Sequence, residues 1–413
     1  MTTGLEPNFF RHEYGRLVAI LARRVGVRHL DAVEDAVQLA LLAAVETWPR
    51  SSVPENPSAW LYRVAHNQFV GERRQWSRRD QIVAQDGMGS ITSAAPEETF
   101  LDGDVRDDLL RMLFVCCDEV LPIESQLVLA LRTLCGFEIR EIAARLFTSE
   151  ANVYKRFGRA RSRLAETALD LDLTVEQMAA RLPAVQAVLH VMYTEGYFSS
   201  NPEGAIRREL CDEAKRLTRI LAEHRTGATP ATFALCALMH LHSARMTARQ
   251  DDSGGLVLLG QQDRSLWDQT EIGVGLAWLA RAAEGDVLSR YHAEAGIAAE
   301  HCLAPSFAGT RWDRIVECYD LLLRLAPSAI HTLNRAVALA EWQGPARALA
   351  ELASLEPPTW LAGSHLWAAV LADLHGRCGH THLARRYRQA ALEAAPSEVV
   401  RAALARRLRP RLT

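Results

Sequence analysis

The sequence predicts an all-α protein of several domains, and three observations carry that expectation. Apolar residues recur at helical spacing through nearly every periodic segment, no β-rich alternating run stands out, and the breaks are short clusters rich in Gly, Pro, Ser and Asp. With 413 residues, 49% of them hydrophobic and 23% charged, the chain has material for sizeable cores and is not a disordered polymer. Forty-seven basic against 50 acidic residues leave a net charge of -3, which excludes a uniformly basic binder but not local patches. All the cations but Lys155 and Lys215 are arginine. That bias runs through the whole chain and reads as compositional drift, although arginine suits phosphate and guanine contacts.

No apolar run approaches the roughly 18–20 residues of a membrane helix, and Met1–Arg11 lacks the pattern of a secretory signal. The eight cysteines show no CxxC spacing, and Cys116–Cys117 sit together in an apolar run, which predicts buried reduced thiols. A soluble cytoplasmic protein without metal or cofactor is the expectation.

The first block spans 8–79. From Val33 to Trp48 an apolar stripe of Val33, Val37, Leu41, Ala44, Val45 and Trp48 runs beside a polar edge of Glu34, Asp35 and Gln38. The segment 57–79, PSAWLYRVAHNQFVGERRQWSRR, then interleaves Trp60, Tyr62, Phe69 and Trp76 with His66, Asn67 and several arginines. Aromatic rings give unstacked bases a platform and cations hold the backbone, a pattern that suits single-stranded DNA. Trp60, Leu61, Val64 and Phe69 also fit a buried helical stripe, the preferred reading for those four. Arg63, Arg73, Arg74 and Arg78 are assigned to nucleic acid.

Residues 80–106 change character. Gly87, Gly89, Ser90, Thr92, Ser93 and Pro96 read as a linker, and its end is acidic, with Glu97, Glu98, Asp102, Asp104, Asp107 and Asp108. A solvated tether is expected; a segment that repels DNA from unproductive contacts, or occupies basic channels meant for nucleic acid, is the alternative.

The second block, 107–168, contains FEIREIAARLFTSEANVYKRFGRARSRL. Ile139, Ile142, Ala143 and Leu146 share one face of a short helix. Phe147–Ser149 supply a turn and a cap, and Val153, Phe157, Ala160 and Leu164 stripe a second helix. This is a helix-turn-helix, whose second helix enters the major groove. Lys155, Arg156, Arg159, Arg161 and Arg163 stand on its outer side with no acid between Ala151 and Leu164. Ala151, Asn152, Lys155 and Arg156 lie in the first turns, where side chains reach base edges. Arg159, Arg161 and Arg163 are placed for phosphates.

The third block, 182–413, is Ala/Leu-rich and helical. Trp312, Ile315 and Tyr319, and Ala384, Ala391 and Pro396, are spaced as in tetratricopeptide repeats, so the block reads as TPR-like. Asp263, Arg264, Trp267 and Asp268 put charge and indole together. A salt-bridged junction is the plainer reading, and a ligand site or clasp the sharper one. His240 and His242, two apart on a helix, cannot chelate together.

The order of these parts resembles an extracytoplasmic-function (group 4) sigma factor of RNA polymerase, over residues 8–168. AVEDAVQLALLAAVETW is similar to conserved region 2.1–2.2, PSAWLYRVAHNQFVGERRQ to region 2.3–2.4, and LPIESQLVLALRTLCGFEIREIAARLFTSEANVYKRFGRARSRL to region 4. The resemblance implies a non-enzymatic factor that binds core polymerase and directs promoter-specific initiation. Region 2 is then expected on the β′ clamp helices through Asp35, Gln38, Leu41 and Leu42, and on the melted -10 element through Trp60, Arg63, His66, Asn67, Arg73, Arg74 and Arg78. Region 4 is expected on the β flap and on the -35 element through Ala151, Asn152, Lys155, Arg156, Arg159 and Arg161. Gly71 stands where the family often has aspartate, and Tyr154 where a small or basic residue is common.

The segments 191–200, 207–221, 237–249, 256–268 and 333–349 resemble the cis-fused TPR-like extension of one sigma-factor subgroup, whose suspected associates are small DGPF-type (YCII-related) proteins. The extension is expected to regulate activity. A helix-turn-helix regulator with a TPR-like sensor, binding duplex DNA alone, is the alternative, but it has no use for the aromatic-basic helix of the first block. An enzyme finds no support in a phosphate loop, a GxSxG elbow or an HExxH motif.

Overall fold

In the computed structural model, which describes residues 9–81, 102–118, 120–146, 148–166, 173–197, 206, 208–251 and 257–408, every extended regular element is a helix and no strand occurs among the described residues. The chain divides into two compact units, residues 1–192 and 193–413.

The first unit holds α1 (Phe9–Val25), α2 (Leu30–Thr47), α3 (Pro57–Gln81), α4 (Asp102–Cys116), α5 (Ile123–Thr133), α6 (Ile139–Arg145), α7 (Glu150–Glu166) and most of α8 (Val175–Tyr197). Gly26, at φ 92°, takes the left-handed conformation that ends α1. Asn56 opens α3, its side-chain oxygen accepting the Ala59 N–H at 3.0 Å ahead of Pro57 in the first turn. Leu17, Val18 and Leu21 of α1 and Val33, Val37 and Leu61 of α2 and α3 are fully buried. Each contributes about 1.5–3 kcal/mol on leaving water.

The two sequence blocks do not stand apart. Helix α1 packs on α4 as well as on α2 and α3, and α7 packs on α2 as well as on α5 and α6. Gly15 makes the first contact: a methyl there would lie 2.2 Å from the Leu134 carbonyl oxygen, so only glycine permits α1 to run this close to the chain after α5.

Three expectations change here. The expected linker 80–106 is shorter, since α3 continues to Gln81 and α4 begins at Asp102; residues 82–101, with Glu97 and Glu98, lie outside the described residues. Asp108 is not part of a solvated acidic run. It is buried, and Arg23 of α1 donates to it at 2.5 Å. The expected start of the third block, residue 182, falls inside α8, which begins at Val175 and whose Arg181 is buried with Asp118 in an ion pair. Arg181 also donates to the Phe114 carbonyl at 3.4 Å, so the start of α8 is fastened to the end of α4.

The second unit continues with α9 (Arg208–Glu223), α10 (Pro230–Ser243), α11 (Gln269–Ala282), α12 (Arg290–Leu303), α13 (Trp312–Leu325), α14 (Ala329–Trp342), α15 (Pro345–Leu352), α16 (Thr359–Ala362), α17 (His365–Arg377), α18 (Thr381–Glu393) and α19 (Glu398–Arg407). From α9 onward most helices pack on the next in chain order, as expected of stacked helical hairpins. The boundaries follow local chemistry. Thr229, Asp268, Ser364 and Ser397 cap α10, α11, α17 and α19 through their side-chain oxygens, and Pro230 and Pro345 occupy first turns. Ile315 and Tyr319 of α13 pack with Ala338 and Leu339 of α14, and Ala391 of α18 is fully buried beside Ala368 and Ala372 of α17. Ile315, Tyr319 and Ala391 thus lie on packed faces of neighbouring helices, while Pro396 is exposed.

None of the eight cysteines is in a disulfide; Cys116, Cys117, Cys135, Cys211 and Cys236 are buried and the other three half-buried. Burial pushes the Cys117 thiol up to about 12, so it stays protonated and unreactive at neutral pH. No helix among the described residues is long and apolar enough to cross a membrane.

Candidate nucleic-acid interface

The recognition helix follows from its stripe. Val153, Phe157, Ala160 and Leu164 are buried, so the intervening positions face outward. Ser149 sets the start of α7, its hydroxyl accepting the Asn152 N–H at 3.2 Å. Helix α6 begins with Glu141 accepting the Glu138 N–H at 2.8 Å.

On the outer side Ala151, Lys155 and Arg159 are exposed and Arg156 is half-buried. Asn152 is turned back, donating to the Thr148 hydroxyl at 2.7 Å. Tyr154, at 61% exposure, presents a ring on the same helix directly before Lys155. Sequence reading noted it only as a departure from a family pattern; its position one residue after the buried Val153 was the signal that it faces out.

Arg161 is placed differently. Its guanidinium is bonded to Asp31 of α2 and lies 3.7 Å from Glu34, with the Phe157 ring 5.1 Å away. In this arrangement two carboxylates occupy the cation that the sequence assigned to DNA phosphate. Glu34, read as part of an exposed polar edge, is buried. Burial raises its pKa, with the Asp31 charge acting in the same direction, against the neighbouring Thr133 hydroxyl and the Arg161 and Arg132 charges, which lower it.

Helix α2 turns a second face outward. Asp35, Gln38 and Leu39 are exposed, as are Leu42 at 55% and Val45 at 54%, while Leu41 is half-buried. Val45 was expected in the buried stripe and Leu39 went unnoticed. The true outer face follows positions 35, 38–39, 42 and 45, a helical row that the apolar character of its members hid. An exposed apolar row flanked by an acid and an amide is the composition of a protein-docking surface.

On α3 the core reading holds in part. Leu61, Ala65 and Phe69 are buried. Trp60 is half-buried, its ring 5.5 Å from Trp48, which Phe10 stacks at 5.6 Å. Arg63 and Asn67 are exposed, and His66 lies half-buried against Tyr62, ring centroids 5.9 Å apart. Burial, with Arg24 nearby, lowers the His66 pKa, so at neutral pH it is a neutral hydrogen-bonding group. Trp60, Arg63 and Asn67 are spaced by three and four and lie on one side of the helix. The side chains of Arg73, Arg74 and Arg78 lie outside the described residues; the helical backbone passes Gly71 unbroken and carries all three.

In the second unit Asp263 and Asp268 turn out to be caps, Asp263 accepting the Ser265 N–H at 2.9 Å and Asp268 the Thr270 N–H at 2.8 Å. Arg264 has no part in a salt-bridged junction: it stacks on Trp267, 4.4 Å from the ring centroid, and donates to the His301 and Ala304 carbonyls. His240 bonds Glu271 at 2.7 Å while His242 packs on the Tyr197 ring at 4.9 Å, so the two histidines diverge as their spacing required.

Comparison with known proteins adds three family matches and one relative. Residues 10–79 match the family described as Sigma-70 region 2, and residues 111–164 match Sigma-70, region 4. Residues 181–283 match a family of unknown function, DUF6596. An uncharacterized protein of Rhizobium meliloti (strain 1021) is 37% identical over 326 residues, covering 78% of this chain and 77% of its own. No solved structure matches.

Proposed function

Because this chain belongs to the sigma-70 family, as a sigma factor of the extracytoplasmic-function type with a C-terminal extension, and so serves promoter-specific initiation by RNA polymerase, we propose that its two DNA-binding modules are stored against each other and work only after polymerase parts them. The observation that carries this is the Arg161 contact with Asp31 and Glu34, joined by the fit of Gly15 against Leu134. The -10 and -35 elements are about 25 base pairs apart, on the order of 80 Å along B-DNA. Modules in side-chain contact do not span that distance.

The roles divide by face. Asp35, Gln38, Leu42 and the neighbouring Leu39 and Val45 dock on the β′ clamp helices, with Leu41 anchoring the row from beneath. Trp60, Arg63, His66 and Asn67, continued by Arg73, Arg74 and Arg78, take the opened -10 strand: cations hold the backbone while ring and amide edges meet unstacked bases. Ala151, Asn152, Tyr154, Lys155 and Arg156 lie where a recognition helix meets base edges, and Arg159 where it meets phosphate. Arg161 joins the phosphate set once released from Asp31. Separation thus uncovers Glu34, frees Asp31 and completes the cationic face in one motion.

The extension, in this reading, regulates when that separation happens, and a small DGPF-type protein is a candidate partner for its helical surface. The factor acts in the cytoplasm beside polymerase.

Reconstitution tests the reading. With core polymerase and a cognate supercoiled promoter the chain supports specific run-off synthesis. Leu42→Asp, at an exposed site, abolishes it and weakens polymerase binding by about 10–100-fold, as for a charge placed in an apolar docking face. Normal initiation by L42D would remove the α2 face from the interface.

A further inference from the structure

In the second unit two arginines, Arg245 and Arg264, have no ion-pair partner among the described residues. Arg245, just after α10, is 9% exposed. Its one protein hydrogen bond runs from Nη2 to the Tyr197 hydroxyl at 3.1 Å, and its Nε is buried without a partner. Trp267 places its ring beside two guanidiniums, 5.6 Å from Arg245 and 4.4 Å from Arg264. Arg264 directs Nη1 to two carbonyls at the end of α12 and leaves Nη2 buried and unpaired. The Trp267 indole N–H and the His301 Nδ1, on residues 3% and 8% exposed, are unpaired as well.

No carboxylate among the described residues compensates Arg245 or Arg264. The two nearest in sequence to Trp267, Asp263 and Asp268, are committed to backbone N–H groups and a serine. Arg249 adds positive charge, its guanidinium 3.7 Å from the Tyr197 ring centroid and bonded to the Tyr197 carbonyl at 2.8 Å. His301 does not relieve the imbalance, being an uncharged imidazole near neutral pH through burial and the neighbouring Arg245 and Arg264.

A guanidinium removed from water is expensive unless an opposite charge and full hydrogen bonding replace its hydration. Here two guanidiniums lie against the Trp267 ring, and their buried nitrogens, the indole N–H and the His301 Nδ1 all have those needs unmet. Arginine forks of this kind match the oxygens of carboxylate and phosphate.

We infer that Arg245, Arg264, Trp267 and His301 form a binding site in the extension for a small oxyanion, the carboxylate or phosphate group of a metabolite. Arg245 and Arg264 neutralise it, Trp267 and His301 fix its orientation, and Tyr197 holds Arg245 in place. The site lies wholly within the C-terminal unit, so the inference is independent of how the sigma modules act.

The test uses the purified full-length chain at constant ionic strength. Inorganic phosphate and citrate are titrated separately, with chloride as the matched control, and thermal unfolding and tryptophan fluorescence are followed. The expected result is saturable stabilisation, a rise of several degrees in Tm at concentrations well above Kd, with one or both anions; which of them acts identifies the chemical class. Arg245→Met, which keeps the volume and removes the buried charge, weakens that binding by about 30-fold or more. Trp267→Phe, which removes only the indole donor and keeps an aromatic wall, weakens it in the same direction, so the proposal stays testable if R245M folds poorly. Stabilisation no greater than with chloride for both anions, or equal stabilisation of W267F and the unaltered chain, would overturn the site.

Discussion

Gly15→Ala is the sharpest probe of module storage. The added methyl would sit 2.2 Å from the Leu134 carbonyl oxygen and 3.1 Å from its carbon, both backbone atoms, where Cβ atoms keep at least 3.0 Å. No side-chain rotation relieves that contact, so α1 and the end of α5 must part by roughly 0.8 Å along that line. Overpacking of this sort costs about 1–3 kcal/mol. Because the clash lies between modules and not inside either, separation relieves it, and the ratio of parted to packed forms rises by roughly 5- to 150-fold. Resonance energy transfer between dyes carried by noncanonical residues at the exposed positions Gln68 and Ala165 reads this directly. Transfer falls in G15A while helical circular dichroism is retained, and core polymerase binds more tightly because less of its binding energy goes into opening. Unchanged transfer with an unchanged Tm would show that α1 and Leu134 do not meet in solution, and the storage argument would fail with it.

Other outcomes follow from single contacts. Asp118→Asn leaves the buried Arg181 uncompensated and destabilises the first unit by about 3–5 kcal/mol in urea unfolding; a loss no larger than that of an exposed ion pair would show the pair to be solvated. Gly71→Ala adds a methyl in open space in mid-helix and stabilises the chain by about 0.5–1 kcal/mol, with a fall in Tm as the contrary result. Acid weakens the second unit in two stages. Burial, with Arg245 and Arg264, brings His301 down from 6.5 to about 3, so it is neutral when folded and takes a proton on unfolding in between. Its contribution is complete above pH 6.5 and is lost as pH falls towards 3. Burial alone would raise Glu271, but hydrogen bonds and charge from His240 and Lys215 bring it from 4.5 to about 2, a contribution present above pH 4.5 and lost below it. Tm measured against pH should therefore decline from pH 6.5, and His301→Gln should flatten the limb between 6.5 and 4.5; an unaltered limb would refute the assignment.

Much of the site was legible because helices write their buried faces at intervals of three and four. Val153, Phe157, Ala160 and Leu164 fixed which side of α7 faces out, and the cations between them needed no partner to be noticed. Where periodicity is ambiguous, the reading went astray for a physical reason. Val45 is apolar and one position beyond the buried Ala44, so hydrophobicity counted it as core, whereas the neighbouring elements leave it in solvent. Glu34 looked like surface, yet α7 and Thr133 cover it. Asp263 and Asp268 looked like ion-pair partners, but acids directly before a helical turn bond its free N–H groups first.

What this sequence by itself determined is local: where helices begin and end, which stripes are oily, and the order of two DNA-binding modules ahead of a helical extension. Caps, glycines and periodic apolar residues act within a few positions of chain and need no distant partner. The tertiary structure alone decided which charges meet. Arg161 with Asp31, Arg23 with Asp108, Arg181 with Asp118, and Arg245 with no acid at all join or isolate groups far apart in sequence. In water a charge is cheap wherever it lies; only the packing of remote helices removes that water, and so makes the presence or absence of a partner matter.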